Sequence, residues 1–183
     1  MIALETQRSS LQFNGAGYIA VTTTVKDVIH ANGQYTFEMF VRAMDSERNH
    51  QLLQRAPSGY DRHGLAIGSD GKPRLSHYAG SWKAVVGPAI TWGEWAHIAA
   101  TFNTRADMRI YVNGVQGTLG TYVYAYPYSD IMIARSSTYY SDGFIGEIAY
   151  VRIYNRPLSQ QEIMHNMLNP DTPTFNSFPD SRG

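Results

Sequence analysis

The sequence predicts an all-β fold, a two-sheet antiparallel sandwich closed by one short C-terminal helix. Three observations predict it. Short runs rich in Val, Ile, Tyr and Phe recur along the 183 residues, and turn residues such as Ser69-Asp70-Gly71 and Asn113-Gly114 separate them. The composition suits such a chain: 13 Tyr, 7 Phe and 3 Trp are accompanied by 16 Gly and 8 Pro. The best helix-start signature stands near the C-terminus, where Ser159 and Glu162 have capping-box spacing.

The elements follow in order. Leu11-Gln12-Phe13, then Asn14-Gly15, then residues 18–21 read as a hairpin. Residues 26–33 read as a connecting loop. Residues 35–42 alternate cleanly, with Tyr35, Phe37, Met39 and Val41 on one face and Thr36, Glu38, Phe40 and Arg42 on the other. Residues 45–50 are a polar loop and 51–56 a strand, which Pro57-Ser58-Gly59 breaks. Strands over 64–67 and 73–77 flank the Ser69-Asp70-Gly71 turn. Residues 78–82 form a Gly/Ser loop with two large aromatics, and 82–87 another strand. Residues 95–102 alternate. The clearest hairpin is 108–112, Asn113-Gly114, 115–119, because Asn-Gly suits the two positive-φ positions of a type I′ turn.

Residues 122–128, YVYAYPY, read either as a tyrosine platform or as an edge strand with half-buried tyrosines. A short strand covers 131–134, and 136–142 is a polar loop with Tyr139 and Tyr140. The long closing strand, 144–154, begins near Gly143 and Gly146, where a bulge or close backbone approach is expected. Pro157 ends it, and Leu158 and Ile163 stand at the staple positions around the helix cap. The count is about twelve strands and one helix. Residues 1–168 make one domain, and 169–183, with three prolines, an extended tail or linker.

Bulk properties exclude several classes. There is no cysteine, so no disulfide and no thiolate zinc site. Fifteen basic and fifteen acidic residues give zero net charge, which argues against a nucleic-acid partner. No apolar run has membrane-spanning length, and no secretory signal pattern follows Met1. The chain is therefore a mature or excised domain, one exported by another route, or one that stays inside. The six histidines form no His-x-His or i,i+4 pair, so a zinc site is not expected, and His97 reads as a core histidine.

Four pieces carry a family resemblance. They are Leu11-x-Phe13-x-Gly15-x-Gly17-Tyr18-Ile19; Phe37-Glu38-x-Phe40-Val41; Trp95-x-His97-Ile98-Ala99 with Ile110-Tyr111-Val112-Asn113-Gly114; and Phe144-x-Gly146-x-Ile148 running through Val151 to Ile163. In this order they resemble the LamG-like jelly-roll domains of the concanavalin A-like lectin/glucanase fold, relatives of the pentraxins. The resemblance implies two curved antiparallel sheets, ligands at a loop rim or in the concave sheet, and often carbohydrate and calcium. Enzymes of this fold carry a cluster of acids on one strand, and no strand here carries two carboxylates on one face.

The expected function is a non-catalytic, lectin-like module whose partner is a glycan or polysaccharide. Sugars stack their C–H faces on aromatic rings. Tyr78, Trp82, Tyr139 and Tyr140 are the stacking candidates, with His77, Arg42, Asp45 and Asp142 as polar partners. Taken singly, each aromatic reads more readily as cover for a hydrophobic edge, whereas the set together reads as a binding surface. Calcium needs six to eight oxygens. Pentraxin-like relatives draw acids from the loop after the third strand, here Asp45, Glu47 and Asn49, and from the loop before the closing strand, here Asp142. Asp45 and Asp142 are thus the metal candidates, although Ala149, Tyr150 and Asn14 stand where many relatives place acids. The resemblance implies an extracellular, cell-surface or virion location. The alternative is a protein-binding or architectural module of a surface adhesin or a phage tail or fibre.

Overall fold

The computed structural model describes residues 9–21, 34–56, 63–78, 81–103, 107–121, 130–135 and 142–171. Among them are twelve strands and one helix: β1 (Leu11–Asn14), β2 (Ile19–Val21), β3 (Tyr35–Ala43), β4 (His50–Ala56), β5 (His63–Ile67), β6 (Pro73–Tyr78), β7 (Trp82–Val86), β8 (Trp95–Phe102), β9 (Met108–Val112), β10 (Val115–Gly120), β11 (Asp130–Ile133), β12 (Ile145–Tyr154) and α1 (Gln160–Leu168). They form two six-stranded antiparallel sheets, ordered β1-β12-β3-β8-β9-β10 and β2-β11-β4-β5-β6-β7. This is a jelly-roll sandwich. The loop over residues 26–33, the YVYAYPY segment, Tyr139, Tyr140 and the tail beyond Asp171 lie outside the described residues.

The alternation of β3 explains its central place. Tyr35, Phe37, Met39 and Val41 point inward, and Met39 and Val41 are wholly buried. They meet Leu53, Leu65, Leu75 and Val85 of the second sheet in one apolar core. Tyr35 stacks on Phe102 at 4.3 Å between centroids, across the β3–β8 pair. Full burial of each such side chain stabilises by roughly 1.5–3 kcal/mol.

The Asn113-Gly114 hairpin joins β9 to β10, with φ of 51° and 77° at its two residues, as a type I′ turn requires. The β5–β6 hairpin turns through Gly71 at φ 72°, with the Gly68 N–H donating to the Lys72 carbonyl. The Asn14-Gly15 turn differs from expectation. β1 pairs with β12 and β2 with β11, so the turn carries the chain from one sheet to the other and makes no hairpin. Gly15, at φ 88°, lies against Gly143, where an added Cβ would stand 1.8 Å from the Gly15 carbonyl oxygen. The backbone contact expected at Gly143 and Gly146 is therefore real. At Gly146 an added Cβ would meet the Arg42 carbonyl at 2.1 Å. The register shift itself falls between Ile148 and Tyr150.

Ser159 and Glu162 form the capping box, and Leu158 and Ile163 are both buried, in a second cluster with Ala99, Tyr111 and Tyr154. The helix thus packs on the outer face of the first sheet. At one side of the sandwich β7 and β10 meet: the Val86 N–H donates to Thr118 Oγ1 at 2.8 Å, and an added Cβ on Gly117 would stand 2.2 Å from the Val86 carbonyl. No helix among the described residues is long and apolar enough to cross a membrane.

Candidate functional site

The register of the second sheet fixes two rims. Asp130 lies beside Ala56, Arg55 beside His63, His63 beside His77, and Tyr78 beside Trp82, so these residues share one rim. His50 lies beside Ile67 and Ile67 beside Pro73, so the residues before β4 and the β5–β6 turn share the other. Arg135, which follows β11, and Asp142 also belong to that second rim. The six residues of β6 separate the rims by about 17 Å. The expected single site is therefore divided. Tyr78 and Trp82 stand at one rim, and Asp45 and Asp142 at the other.

The Asp45 rim is knitted by hydrogen bonds. One Asp45 oxygen accepts from the Glu47 N–H at 2.8 Å and the other from Arg48 Nε at 2.9 Å. These contacts hold its carboxyl below the usual carboxylate range, the Glu47 N–H contributing most. His50 is wholly buried beneath it. Its Nε2 bonds the Asp45 carbonyl, and its Nδ1 accepts from the Ile145 N–H at 3.2 Å. The Asp142 carbonyl accepts from the Gln51 N–H at 3.0 Å. Among the described residues no group of three or more His, Asp or Glu side chains converges. Asp45 has a guanidinium on one oxygen and a backbone amide on the other.

The Trp82 rim presents a different surface. Trp82 is 57% exposed and stands on β7; the aromatics expected in a loop instead end β6 and begin β7. Two residues along, Ala84 lies beside Ser76 and Ser76 beside Gly64, all facing outward. Ala84 and Ser76 make a low floor across two strands, bounded at Gly64 by the Gln51 amide, which lies 3.0 Å from where a Cβ on Gly64 would stand. Trp82 stands at one side of that floor and Arg74 at the other. Arg74 is held by both Asp70 oxygens, at 2.8 and 2.6 Å. His77 is not at the surface: it shares the parity of Leu75, faces the core and is wholly buried. That parity was visible in Pro73-x-Leu75-x-His77.

Arg42 is at neither site. It lies on the outer face of the first sheet, paired with Glu147, with its guanidinium 5.4 Å from the Trp95 ring. Beside it three rings stack across neighbouring strands: Trp95 on Phe40 at 5.0 Å and Phe40 on Tyr150 at 5.8 Å. Arg152 caps the row, 4.1 Å over Tyr150. Under the helix, Glu38, His97 and Asn166 are wholly buried. The Asn166 amide donates to both Glu38 oxygens, at 3.1 and 3.0 Å, and to the Tyr154 hydroxyl at 3.1 Å. Burial pushes the Glu38 carboxyl up and lowers His97 to about 4. The signal for this cluster was Asn166, a polar residue three positions after Ile163 on the buried helix stripe.

A family model described as concanavalin A-like lectin/glucanases superfamily, Laminin_G_3, matches residues 13–164. No curated protein matches the chain. Three solved structures share the fold. Domain 4 of AbnA, a GH43 extracellular arabinanase from Geobacillus stearothermophilus, in complex with arabinotriose, is 20% identical over 85% of this chain and 75% of that one, with a TM-score of 0.71. The Ruminococcus gnavus IT-sialidase CBM40 bound to alpha2,3 sialyllactose is 16% identical over 77% and 86%, TM-score 0.62. A heptameric SAP-like pentraxin from Limulus polyphemus is 16% identical over 73% and 69%, TM-score 0.59.

Proposed function

We propose that this chain, which belongs to the concanavalin A-like lectin/glucanases superfamily, is a non-catalytic carbohydrate-binding module. The observation that carries the reading is Trp82, a large exposed ring beside the low floor of Ser76 and Ala84. A sugar lying on that floor would stack a C–H face on the indole and offer hydroxyls to Ser76. Arg74 is already neutralised by Asp70, so an uncharged stretch of glycan suits the floor. Two similar structures, solved with arabinotriose and sialyllactose, support a glycan as the ligand class. Such a module would work where glycans are displayed, outside the cell or on a virion.

The acids support the absence of catalysis. Glycoside hydrolysis uses two carboxylates about 5–10 Å apart at the sugar. Glu38 is shut beneath the helix, and Glu147 is engaged by Arg42 and Ser10. A calcium-assisted version of the reading would use the Asp45 rim, against which the Arg48 pairing weighs.

A glycan array followed by calorimetry on the wild type and Trp82→Ala tests the proposal. The expected result is binding by the wild type and at least a tenfold loss in the variant, about 1.4 kcal/mol. Equal binding by both proteins, or none to any glycan, sinks it.

The second reading, a protein-binding module, rests on apolar exposure around the helix. Leu168 is 70% exposed and Met164 42%, and Met164 lies against Gly114, next to the exposed Val115. Stable self-association in light scattering, lost in Leu168→Glu, would favour it.

A further inference from the structure

The outer face of the first sheet holds a buried acid and a buried imidazole with no role in the glycan reading. Glu38 on β3 and His97 on β8 are wholly buried, and His97 Nε2 stands 3.7 Å from Glu38 Oε1. Both ring nitrogens of His97 lack a hydrogen-bond partner among the described residues. An orphaned buried imidazole is costly, and native proteins rarely leave one. Among the described residues, the group close enough to supply a proton is Glu38. A protonated Glu38 would donate to Nε2 after a closure of less than about 1 Å. Its other oxygen would still accept from Asn166 of α1.

We propose that Glu38 and His97 share a single proton beneath α1, carried by Glu38 and donated to His97 Nε2, and that the helix docks over this neutral pair. The proton never leaves the pair on docking. In water the same two groups at pH 5–6 hold one proton as well, on the imidazole. Docking moves it from His97 to Glu38, and no charge is buried.

Burial favours this placement: it is the largest influence on both groups, and it outweighs the Asn166, Tyr154 and Arg152 contacts that pull the Glu38 carboxyl down. From β12, Arg152 presents a guanidinium whose field opposes a charge on His97. Arg152 also bonds the Pro170 carbonyl just beyond the helix, so it cannot leave without loosening the chain there. Tyr154 of β12 contributes a neutral hydroxyl, and Tyr150 a ring 6.3 Å from that of His97. From α1, Glu162 faces the cluster but is paired with Arg156, and Asn166 brings an uncharged amide. From β9, Tyr111 closes the apolar side, with its hydroxyl directed to Gln116. His97 is held well below its ordinary value and Glu38 above its own, the directions a shared proton on the acid demands.

The experiment is hydrogen exchange of the α1 amides in the whole chain, read as protection factors between pH 5 and 6. The wild type should be flat, because docked and undocked pairs bind the same number of protons. Glu38→Gln leaves His97 to lose its charge alone, so protection should fall up to tenfold over this unit as pH drops. His97→Gln leaves Glu38 alone, so protection should rise as pH drops. Opposite slopes in the two variants with a flat wild type support the shared proton. A wild type that slopes like either variant overturns it. Should a variant fail to fold, nitrogen NMR of the wild-type His97 ring at pH 5.5 decides. A neutral ring with a hydrogen-bonded Nε2 supports the proposal, and a charged ring refutes it.

Discussion

The two rims of the second sheet use the same kinds of residue in opposite ways. At the Asp45 rim, polar groups are spent on the protein itself. His50 links the Asp45 carbonyl to the start of β12, Asp142 holds Gln51, and two glycines let Gly15 and Gly143 touch. At the Trp82 rim, a bulky ring beside Tyr78 stays 57% exposed, with Ala84 two residues along its strand. Acids near a loop are thus poor evidence for a ligand when backbone amides and arginines lie within reach. An exposed tryptophan at a strand end is better evidence, because so large an apolar surface costs hydration until something covers it.

The sharpest way to break the comparison is at the glycine contact. Gly143→Ala would place a methyl where the Gly15 carbonyl stands, with backbone on both sides. The expected loss is more than about 3 kcal/mol in urea unfolding, or no folded protein. A loss below 1 kcal/mol would mean that the Asp45 rim is not rigid. Next comes His50→Ala, expected to cost about 2–3 kcal/mol, since it removes a buried ring and orphans the Ile145 N–H.

His50 also predicts a pH response. Burial holds it below its ordinary value of 6.5. Its contribution is therefore complete above that value and lost as pH falls through the folded-state value. Wild-type stability should decline on acidification below about 6.5, and His50→Ala should lack that part of the decline. Parallel curves for the two proteins would contradict this.

Trp82→Ala should change unfolding free energy by only about 0.5 kcal/mol while abolishing glycan binding. A large stability loss would instead assign the ring to structure. The smallest effect is expected from calcium. Adding it, then a chelator, should move Tm by less than about 1 °C. A larger shift that vanishes in Asp45→Asn would return the Asp45 rim to function.

Local patterns carried most of the fold. The alternation in β3, the Asn113-Gly114 turn and the Ser159–Glu162 cap each depend on residues a few positions apart. What was not legible depends on distant pairing. Asn14-Gly15 has hairpin chemistry, yet Leu11 pairs with Ile148 and Ile19 with Ile133. No local pattern announces partners that far along the chain. The same blindness to register joined Trp82 to Asp45 as one site. One misplacement and one omission were avoidable. The parity of His77 with Leu75 marked it as buried, and Asn166 on the apolar helix stripe marked a polar partner beneath, which is Glu38.

The meeting of β7 with β10 bears on behaviour at high concentration. A strand with open N–H and C=O groups invites another chain to add to the sheet. Here the last N–H of β7 is already given to Thr118, and Gly117 lets the β10 backbone close over the Val86 carbonyl. The two strands come from different sheets, so at Val86 a colliding chain finds neither group of the edge open. At that point the edge is closed by one threonine and one glycine.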